Sequence, residues 1–498
     1  MISSSNGKEK QEMGTGKEGH NADRHSGEEP TGTATVSRRK FLGISAAAVA
    51  AGTVLGRSGR RLTDLARSPV GGSNSGGREL KGSLEMWTFS ASRSVWEKKM
   101  AKRFMALHPG VNVTVTVLPY FAMHDKLAAA VLAGAGAPQL ADVEVHEIGR
   151  FFKPPIGFVA LDSLIAAAGG KNQFYEAEAF GPATWQGKTY GVGSEVDPVI
   201  FYARADVLEK VGVSVPSDYL TAKPAIDTWD DFVAIGKEIK KATGHYFAGI
   251  DYSGPGQWQM IMETRGTGIF DSEGRPQLDS DVAVETLSFL RDLIYKYKIA
   301  IPAPGGHQST TEFYTALSSS TVVGSLNAEW FGYYIKQAAP KQKGDWVIQR
   351  APRWPSGPVR SAEYGGTWQM IPSQNPREQQ GLAWEFIRFM NFDVANIVPE
   401  YTIGALFPSL RVASQGKYAA MYKVGDPYFR NESIGALTEQ AAPTLLPEYS
   451  SPIMLDVAVT QGPAMAWEPV LLHNSASPSK ALRDLQSYAV KQLRSALS

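Results

Sequence analysis

From residue 84 onward, apolar and polar positions recur at two different periods. Leu84-Glu85-Met86-Trp87-Thr88-Phe89 alternates as a strand does, and Val95, Trp96, Met100, Phe104 and Leu107 then recur at helical spacing until His108-Pro109-Gly110 stops the helix. Val111-Asn112-Val113-Thr114-Val115-Thr116-Val117 is a strict two-residue alternation. A strand, a helix and a strand in that order predict a parallel βαβ unit with a right-handed crossover. Leu127 to Leu132 predicts a second helix, ended by Gly134-Ala135-Gly136-Ala137-Pro138, and Leu140-Ala141-Asp142-Val143-Glu144-Val145 a third strand. The pattern is that of a doubly wound α/β fold.

In such sheets ligands sit beyond the carboxyl ends of the strands. That rule selects Trp87 and Ser90 after the first strand, Tyr120 after the second, and Glu144 and Glu147 around the third. Two acids closing an apolar strand suit a ligand's hydroxyl groups. The opposing readings are a core tryptophan and solvated loop acids.

The stretch from Thr184 to Leu208 starts as a polar hairpin with Gln186-Gly187 in its turn, passes two carboxylates, Glu195 and Asp197, and becomes an apolar strand entering a helix. Such a mixture suits a crossing between two lobes, with both acids facing the cleft. Pro198 stiffens the exit, so bending is expected at Gly191 to Ser194. Further on, Thr228-Trp229-Asp230-Asp231 is a capping box, Asp271-Ser272-Glu273-Gly274-Arg275-Pro276 a turn, and Asp281 to Tyr297 a helix with an ordinary apolar face.

Three loops combine glycine or small residues with aromatics: Gly254-Pro255-Gly256-Gln257-Trp258, Asn327-Ala328-Glu329-Trp330-Phe331-Gly332-Tyr333-Tyr334, and Tyr364-Gly365-Gly366-Thr367-Trp368. Aromatic faces beside open backbone suit pyranose rings, which are apolar on their faces and polar at their edges. These loops nominate Trp258, Glu329, Trp330 and Trp368; the alternative is that the aromatics are core.

Composition narrows the classes. The 498 residues exceed the length at which one core keeps growing, so two domains are expected. A net charge of +1 and no basic stripe beyond residue 80 argue against nucleic acid. The absence of cysteine excludes disulfides, thiolate metal sites and a lipid-modified cysteine. Neither a P-loop nor a G-x-S-x-G elbow is present, and Val145-His146-Glu147-Ile148-Gly149-Arg150 lacks the second histidine of a zincin. No cofactor or metal is expected.

Residues 1–36 are polar and predict a disordered leader. Ser37-Arg38-Arg39-Lys40-Phe41-Leu42 and the small-residue apolar run from Gly43 to Leu55 resemble a twin-arginine export signal, assigned to 37–56, and 57–79 reads as a flexible linker. The apolar run is too short for a permanent span, which needs roughly 20 residues. Export through the twin-arginine translocase to a periplasmic or other extracytoplasmic site is implied, with cleavage or tethering both open.

From Leu84 to about Asp393 the chain resembles the extracellular solute-binding proteins of carbohydrate ABC importers, the maltose-binding-like group. The resemblance rests on Leu84 to Phe89, Trp185-Gln186-Gly187-Lys188-Thr189-Tyr190-Gly191-Val192, Phe201-Tyr202-Ala203-Arg204-Ala205-Asp206-Val207-Leu208, Thr228 to Phe232, Tyr364-Gly365-Gly366, and Ala383-Trp384-Glu385-Phe386-Ile387-Arg388-Phe389-Met390. It implies a two-lobe periplasmic-binding-protein fold, each lobe a mainly parallel sheet flanked by helices. Residues 80–196 and 364–405 would form one lobe, and 197–363 and 406–498 the other. Ligand contacts carried over by the resemblance are Trp87, Ser90, Glu195, Asp197, Trp330, Gly365 and Gly366, with Arg411 in a place where relatives often have a basic residue. The Asn327-Ala328-Glu329 approach to Trp330 departs from the group by adding an acid. The implied protein is a monomer that closes on a sugar or oligosaccharide and presents it to a membrane permease, without chemistry. The residues alone leave open a glycoside-acting enzyme using Glu195 and Asp197, and a polyamine or cation binder lined by Glu144, Glu147, Glu195, Asp197 and Glu329.

Overall fold

The computed structural model describes residues 79–498 apart from 176–178, 217–218, 221–222 and 356–360. The leader, the export signal and all but the last residue of the expected linker lie outside the described residues. The first βαβ unit is β1 (Gly82–Thr88), α1 (Arg93–Leu107) and β2 (Val111–Val117), followed by α2 (Tyr120–Ala133) and β3 (Leu140–Glu144). Strands β1 and β2 pair in parallel from Gly82 opposite Val111 to Thr88 opposite Val117, and β1 pairs in parallel with β3. The short helix α3 (Val145–Ile148) follows β3 directly. Alternation places Leu84 and Met86 inward, where α1 covers them with Trp96, Met100 and Phe104 and the later helix Arg377–Asn391 adds Phe386 and Ile387.

The predicted hairpin is β4 (Thr184–Trp185) and β5 (Lys188–Thr189), and its turn residues Gln186 and Gly187 both have positive φ, 49° and 74°. Next come β6 (Gly191–Gly193), β7 (Glu195–Val196) and β8 (Val199–Arg204). The later strands are β9 (Ala248–Ile250), β10 (Ala300–Pro302), β11 (Gly324–Ala328), β12 (Trp346–Arg350), β13 (Thr367–Met370) and β14 (Phe407–Pro408). The five-stranded sheet has the order β2-β1-β3-β13-β6, with β13 antiparallel to both of its neighbours.

A second core gathers around β8, whose six residues are all buried. Here the structure departs from the expected mainly parallel sheet, because β8 runs antiparallel to both β11 and β12. The strand arrives directly from the crossing and not through a covering helix, so it enters the sheet from the opposite end. Parallel pairing survives between β9 and β10. The capping box is as predicted: Thr228 Oγ1 accepts from Asp231 N at 3.1 Å, and the Asp231 carboxylate accepts from Thr228 N at 2.9 Å. The helices Gly256–Thr264, Asp281–Tyr295 and Pro478–Leu497 complete this core. Among the described residues, no helix is long and apolar enough to cross a membrane.

Three passages of chain run side by side between the two cores. β7 pairs antiparallel with β14, Val196 opposite Phe407 and Glu195 opposite Pro408, while Pro198 bridges Glu363. Gly191 to Gly193 is not the expected bending point, because it is a buried edge strand paired to β13. A Cβ on Gly193 would lie 2.8 Å from Trp368 Nε1 and one on Gly191 3.0 Å from Met370 Cγ, so the glycines there answer close packing, not flexibility.

Candidate functional site

Beyond the carboxyl end of β3 the chain turns sharply into α3, and Glu144 caps that helix by accepting from His146 N at 2.9 Å. The same carboxylate accepts from Tyr120 Oη at 2.7 Å and lies 2.9 Å from His146 Nδ1. Three side chains from two strand ends are thereby fixed as one polar wall. Burial alone would raise the Glu144 carboxyl, but the neighbouring imidazole and the hydrogen bonds from His146 and Tyr120 more than offset it, and Glu144 is held below the usual carboxylate range.

The facing wall comes from the second core. Gln259, on the helix Gly256–Thr264, donates through Nε2 to Glu263 at 2.9 Å and to Glu448 at 2.8 Å. His146 faces Gln259 and Glu448, with its Nε2 buried and without a hydrogen-bond partner. Burial by itself would lower its imidazole; Glu144, Glu448 and Gln259 push it up to about 9. Burial, and then Glu144, raise the Glu448 carboxyl to about 7 against the pull of His146. At one side stands Tyr364, its ring 6.1 Å from that of His146 and its hydroxyl 3.3 Å from His307 Nε2. Because His307 Nδ1 accepts from Ser309 N at 3.1 Å, Nε2 carries the proton, and it also lies 3.4 Å from Asp251 Oδ2.

Two glycines let these walls meet. A Cβ on Gly149, just after α3, would lie 1.9 Å from the Ser451 carbonyl oxygen, and one on Gly274 would lie 2.2 Å from Trp185 Cζ3. The structure is therefore closed along this seam, with backbone of the second core against the end of α3.

Closer to the crossings the site continues as a file of buried carboxylates. Glu195 is ion-paired to Arg93 at 2.5 Å, and the same guanidinium lies within 3.0 to 3.5 Å of Glu400, Glu97 and Asp142. Asp197 is almost fully buried, and burial together with Glu195, Glu329 and Glu363 raises its carboxyl well above the usual range. Glu329 lies beside it, its carboxyl likewise raised well above the usual range, chiefly by burial.

The remaining expected residues fall into two groups. Trp330 stays half-buried, donates from Nε1 to the Tyr364 carbonyl at 3.0 Å, and lies against Gly365. Gly365 and Gly366 have φ of 106° and 102°, and Cβ atoms there would meet Trp330 Nε1 at 2.9 Å and Trp368 Cη2 at 2.7 Å. Both glycines thus belong to the crossing beside Asp197. By contrast, Trp258 and Trp368 are each 1% exposed, with indole N–H groups spent on the carbonyls of Ala283 and Ala179. They are core residues and offer no ligand face. Trp87 is buried, covered by Lys126 at 3.9 Å, and bonded through Nε1 to Glu85. Glu147 is paired with Arg150 at 2.8 Å, Ser90 accepts from Arg93 N at 3.3 Å in the first turn of α1, and Arg411 reaches the Phe174 carbonyl over the Tyr175 ring.

Sequence reasoning missed His146, Gln259, Asp251, His307 and Glu448. Gln259 carried no periodic signal, since every residue of its helix Gly256–Thr264 is buried and no polar face marks it out.

The sequence profile of bacterial extracellular solute-binding proteins matches residues 90–396. The arabinooligosaccharide-binding protein of Bacillus subtilis is 30% identical over 318 residues, spanning 63% of this chain and 70% of that protein. The protein of the same name from Halalkalibacterium halodurans is 28% identical over 326 residues, 63% of this chain and 68% of its own length. Among solved structures, the galacto-N-biose/lacto-N-biose I-binding protein of an ABC transporter from Bifidobacterium longum superposes with a TM-score of 0.67 at 18% identity, covering 85% of this chain and 100% of that one.

Proposed function

The chain belongs to the bacterial extracellular solute-binding protein family, and on that premise we propose that it binds a sugar or oligosaccharide outside the cytoplasmic membrane and hands it to an ABC transporter permease. Two curated relatives are named for arabinooligosaccharides, which supports an oligosaccharide of that kind as the first ligand to test. The observation that carries the reading is the meeting of two polar walls, Tyr120, Glu144 and His146 on one side and Gln259 and Glu448 on the other, with Tyr364 and Trp330 alongside. Carboxylates and amides accept and donate to sugar hydroxyls, while an aromatic face covers the apolar side of a ring. Opening and closing would take place at the three passages through Glu195–Val196, Pro198 with Glu363, and Phe407–Pro408, so that ligand binding selects the closed form.

The role is binding without turnover. Glu195 is held by Arg93 and Asp197 by Glu329, so neither acid stands free to flank a glycosidic bond with the other. The site residues proposed to contact ligand are Tyr120, Glu144, Asp197, Glu329 and Trp330, with His146, Gln259, Tyr364 and Glu448 added. Titration calorimetry with arabino-oligosaccharides, other oligosaccharides and monosaccharides tests the assignment. At least one should bind tightly, and Trp330→Ala should remove most of that affinity; a panel without a single binder defeats the sugar reading.

A further inference from the structure

The helix Phe331–Ala338 starts directly after Trp330, at the crossing, and buries Phe331, Gly332 and Ile335. Positions three and four apart share one face of a helix, so Trp330, Tyr333 and Tyr334 stand together on the opposite side, followed by the exposed Gln337. A helix face turned to solvent is ordinarily polar. Here its first turn is aromatic. Tyr333 is 37% exposed; among the described residues its ring meets only that of Tyr334, edge to face with centroids 5.4 Å apart, and its hydroxyl makes no hydrogen bond. Tyr334 is the buttress, its ring perpendicular to Trp330 at 6.0 Å and stacked at 6.0 Å on Tyr314 of the helix Thr311–Ser318.

The face is firmly seated. Tyr202 Oη accepts from Gly332 N at 3.1 Å and lies 3.0 and 2.9 Å from the carbonyl oxygens of Ala328 and Glu329, which ties β11 to the helix across their turn. A Cβ on Gly332 would lie 2.5 Å from Ile434 Cδ1, so the helix rests directly on its neighbour. At the inner end the Trp330 indole is fixed by its bond to the Tyr364 carbonyl. Tyr333 takes no part in this seating, and its ring is outside the core that Phe331 and Ile335 join. An exposed aromatic ring that is backed by others and does not serve the core is suited to a ligand.

We propose that Tyr333 is the platform of an outer subsite, on which the sugar unit next to the one at Trp330 lays its apolar face. The proposal rests on the reading of the cleft at Trp330 as a sugar site and extends it outward along the helix. Three residues advance a helix by about 4.5 Å, a distance comparable with one unit of an extended sugar chain. A chain that leaves Trp330 along the helix therefore brings its next unit over Tyr333, and the amide of Gln337 lies ahead of it to bond hydroxyl groups. Because the aromatic face is continuous with Trp330, its occupant is a further length of the same ligand. The functional consequence is selection for chain length, with Tyr334 and Tyr314 holding the platform in place.

Titration calorimetry with arabino-oligosaccharides from the disaccharide to the hexasaccharide, and with malto-oligosaccharides of the same lengths, tests the subsite. In the parent protein, affinity within the series that binds should rise with length and then level off. Tyr333→Ala should cancel the gain from one unit, weakening the longer chains by about tenfold while leaving the shortest binder and the melting temperature unchanged. Tyr333→Phe keeps the ring and should keep the gain. An affinity independent of length in the parent overturns the outer subsite and leaves the sugar reading standing, as does a loss in Tyr333→Ala that is equal at every length. Unchanged affinities throughout in Tyr333→Ala also overturn it, and slower sugar uptake by cells carrying that variant would then assign the face to the permease. If neither series binds at any length, the subsite and the sugar reading fall together.

Discussion

Gly149 meets the carbonyl oxygen of Ser451 with no room for a methyl group, since a Cβ at position 149 would lie 1.9 Å from that oxygen. Gly149 has helical backbone angles, φ −55° and ψ −34°, so alanine suits its conformation and only the opposing chain objects. Gly149→Ala is therefore expected to act on closure. Sugar affinity should fall by about tenfold or more, some 1.4 kcal/mol. Small-angle scattering should show a more open molecule, and the helical content should not change. An unaltered affinity would show that the seam does not close on the ligand.

Arg93 is one buried cation among four buried carboxylates, and it also donates to Ser194 Oγ at the start of the crossing. Removing one partner of a buried ion cluster leaves uncompensated charge, at a cost of about 3–5 kcal/mol. Arg93→Met should lower denaturant stability by that order at pH 8. The loss should shrink at pH 5, where the orphaned carboxylates take up protons; the Glu400 carboxyl already stands raised to about 8 by burial. A deficit that is the same at both pH values would contradict this account.

The first βαβ unit was legible because its two periods are strict and local: Leu84 and Met86 face one way and Val111 and Val113 pair beside them. The capping box was legible for the same reason, being complete within four residues. What escaped depends on pairings far apart in sequence. Gln259 and Glu448, 189 positions apart, carry no mark that they will meet. Gly191 and Gly193 looked flexible, yet their small size serves Met370 and Trp368, which arrive later in the chain. Among the aromatics, sequence could identify faces that suit a sugar but not which faces the core would take. Trp258 and Trp368 went inside, and Trp330 remained at the crossing.

That division separates two tryptophans experimentally. Trp258 packs against Trp467 with ring centroids 5.6 Å apart and spends its N–H on Ala283, so Trp258→Ala should destabilise the fold by about 3–5 kcal/mol. Trp258→Phe should recover much of the loss while leaving the sugar affinity of the folded protein as it was. Trp330→Ala should show the opposite balance, with the greater loss in affinity. Denaturant curves and calorimetry on the three variants decide it, and a purely stability-based effect for Trp330→Ala would remove that residue from the site.

Glu432 predicts the response of stability to pH. It is 5% exposed and accepts from Ile348 N at 2.6 Å. Burial raises its carboxyl from 4.5 to about 8 despite that bond and despite Arg430. A carboxyl raised in the folded state gives stability that is complete below its unfolded value and lost as pH rises to its folded one, at up to roughly 1.4 kcal/mol per pH unit for one proton. Glu400 and Glu448, raised to about 8 and about 7, act in the same direction. His124 opposes them: burial lowers it from 6.5 to about 4, so its contribution is present above 6.5 and lost as pH falls to 4. The melting temperature should thus rise as pH is lowered from 9 and reach its maximum on the acid side of neutrality. Glu432→Gln keeps an acceptor for Ile348 and cannot ionise. It should match the parent near pH 5 and exceed it at pH 8 to 9, and a variant less stable than the parent throughout that upper range would refute the assignment of a buried, protonated Glu432.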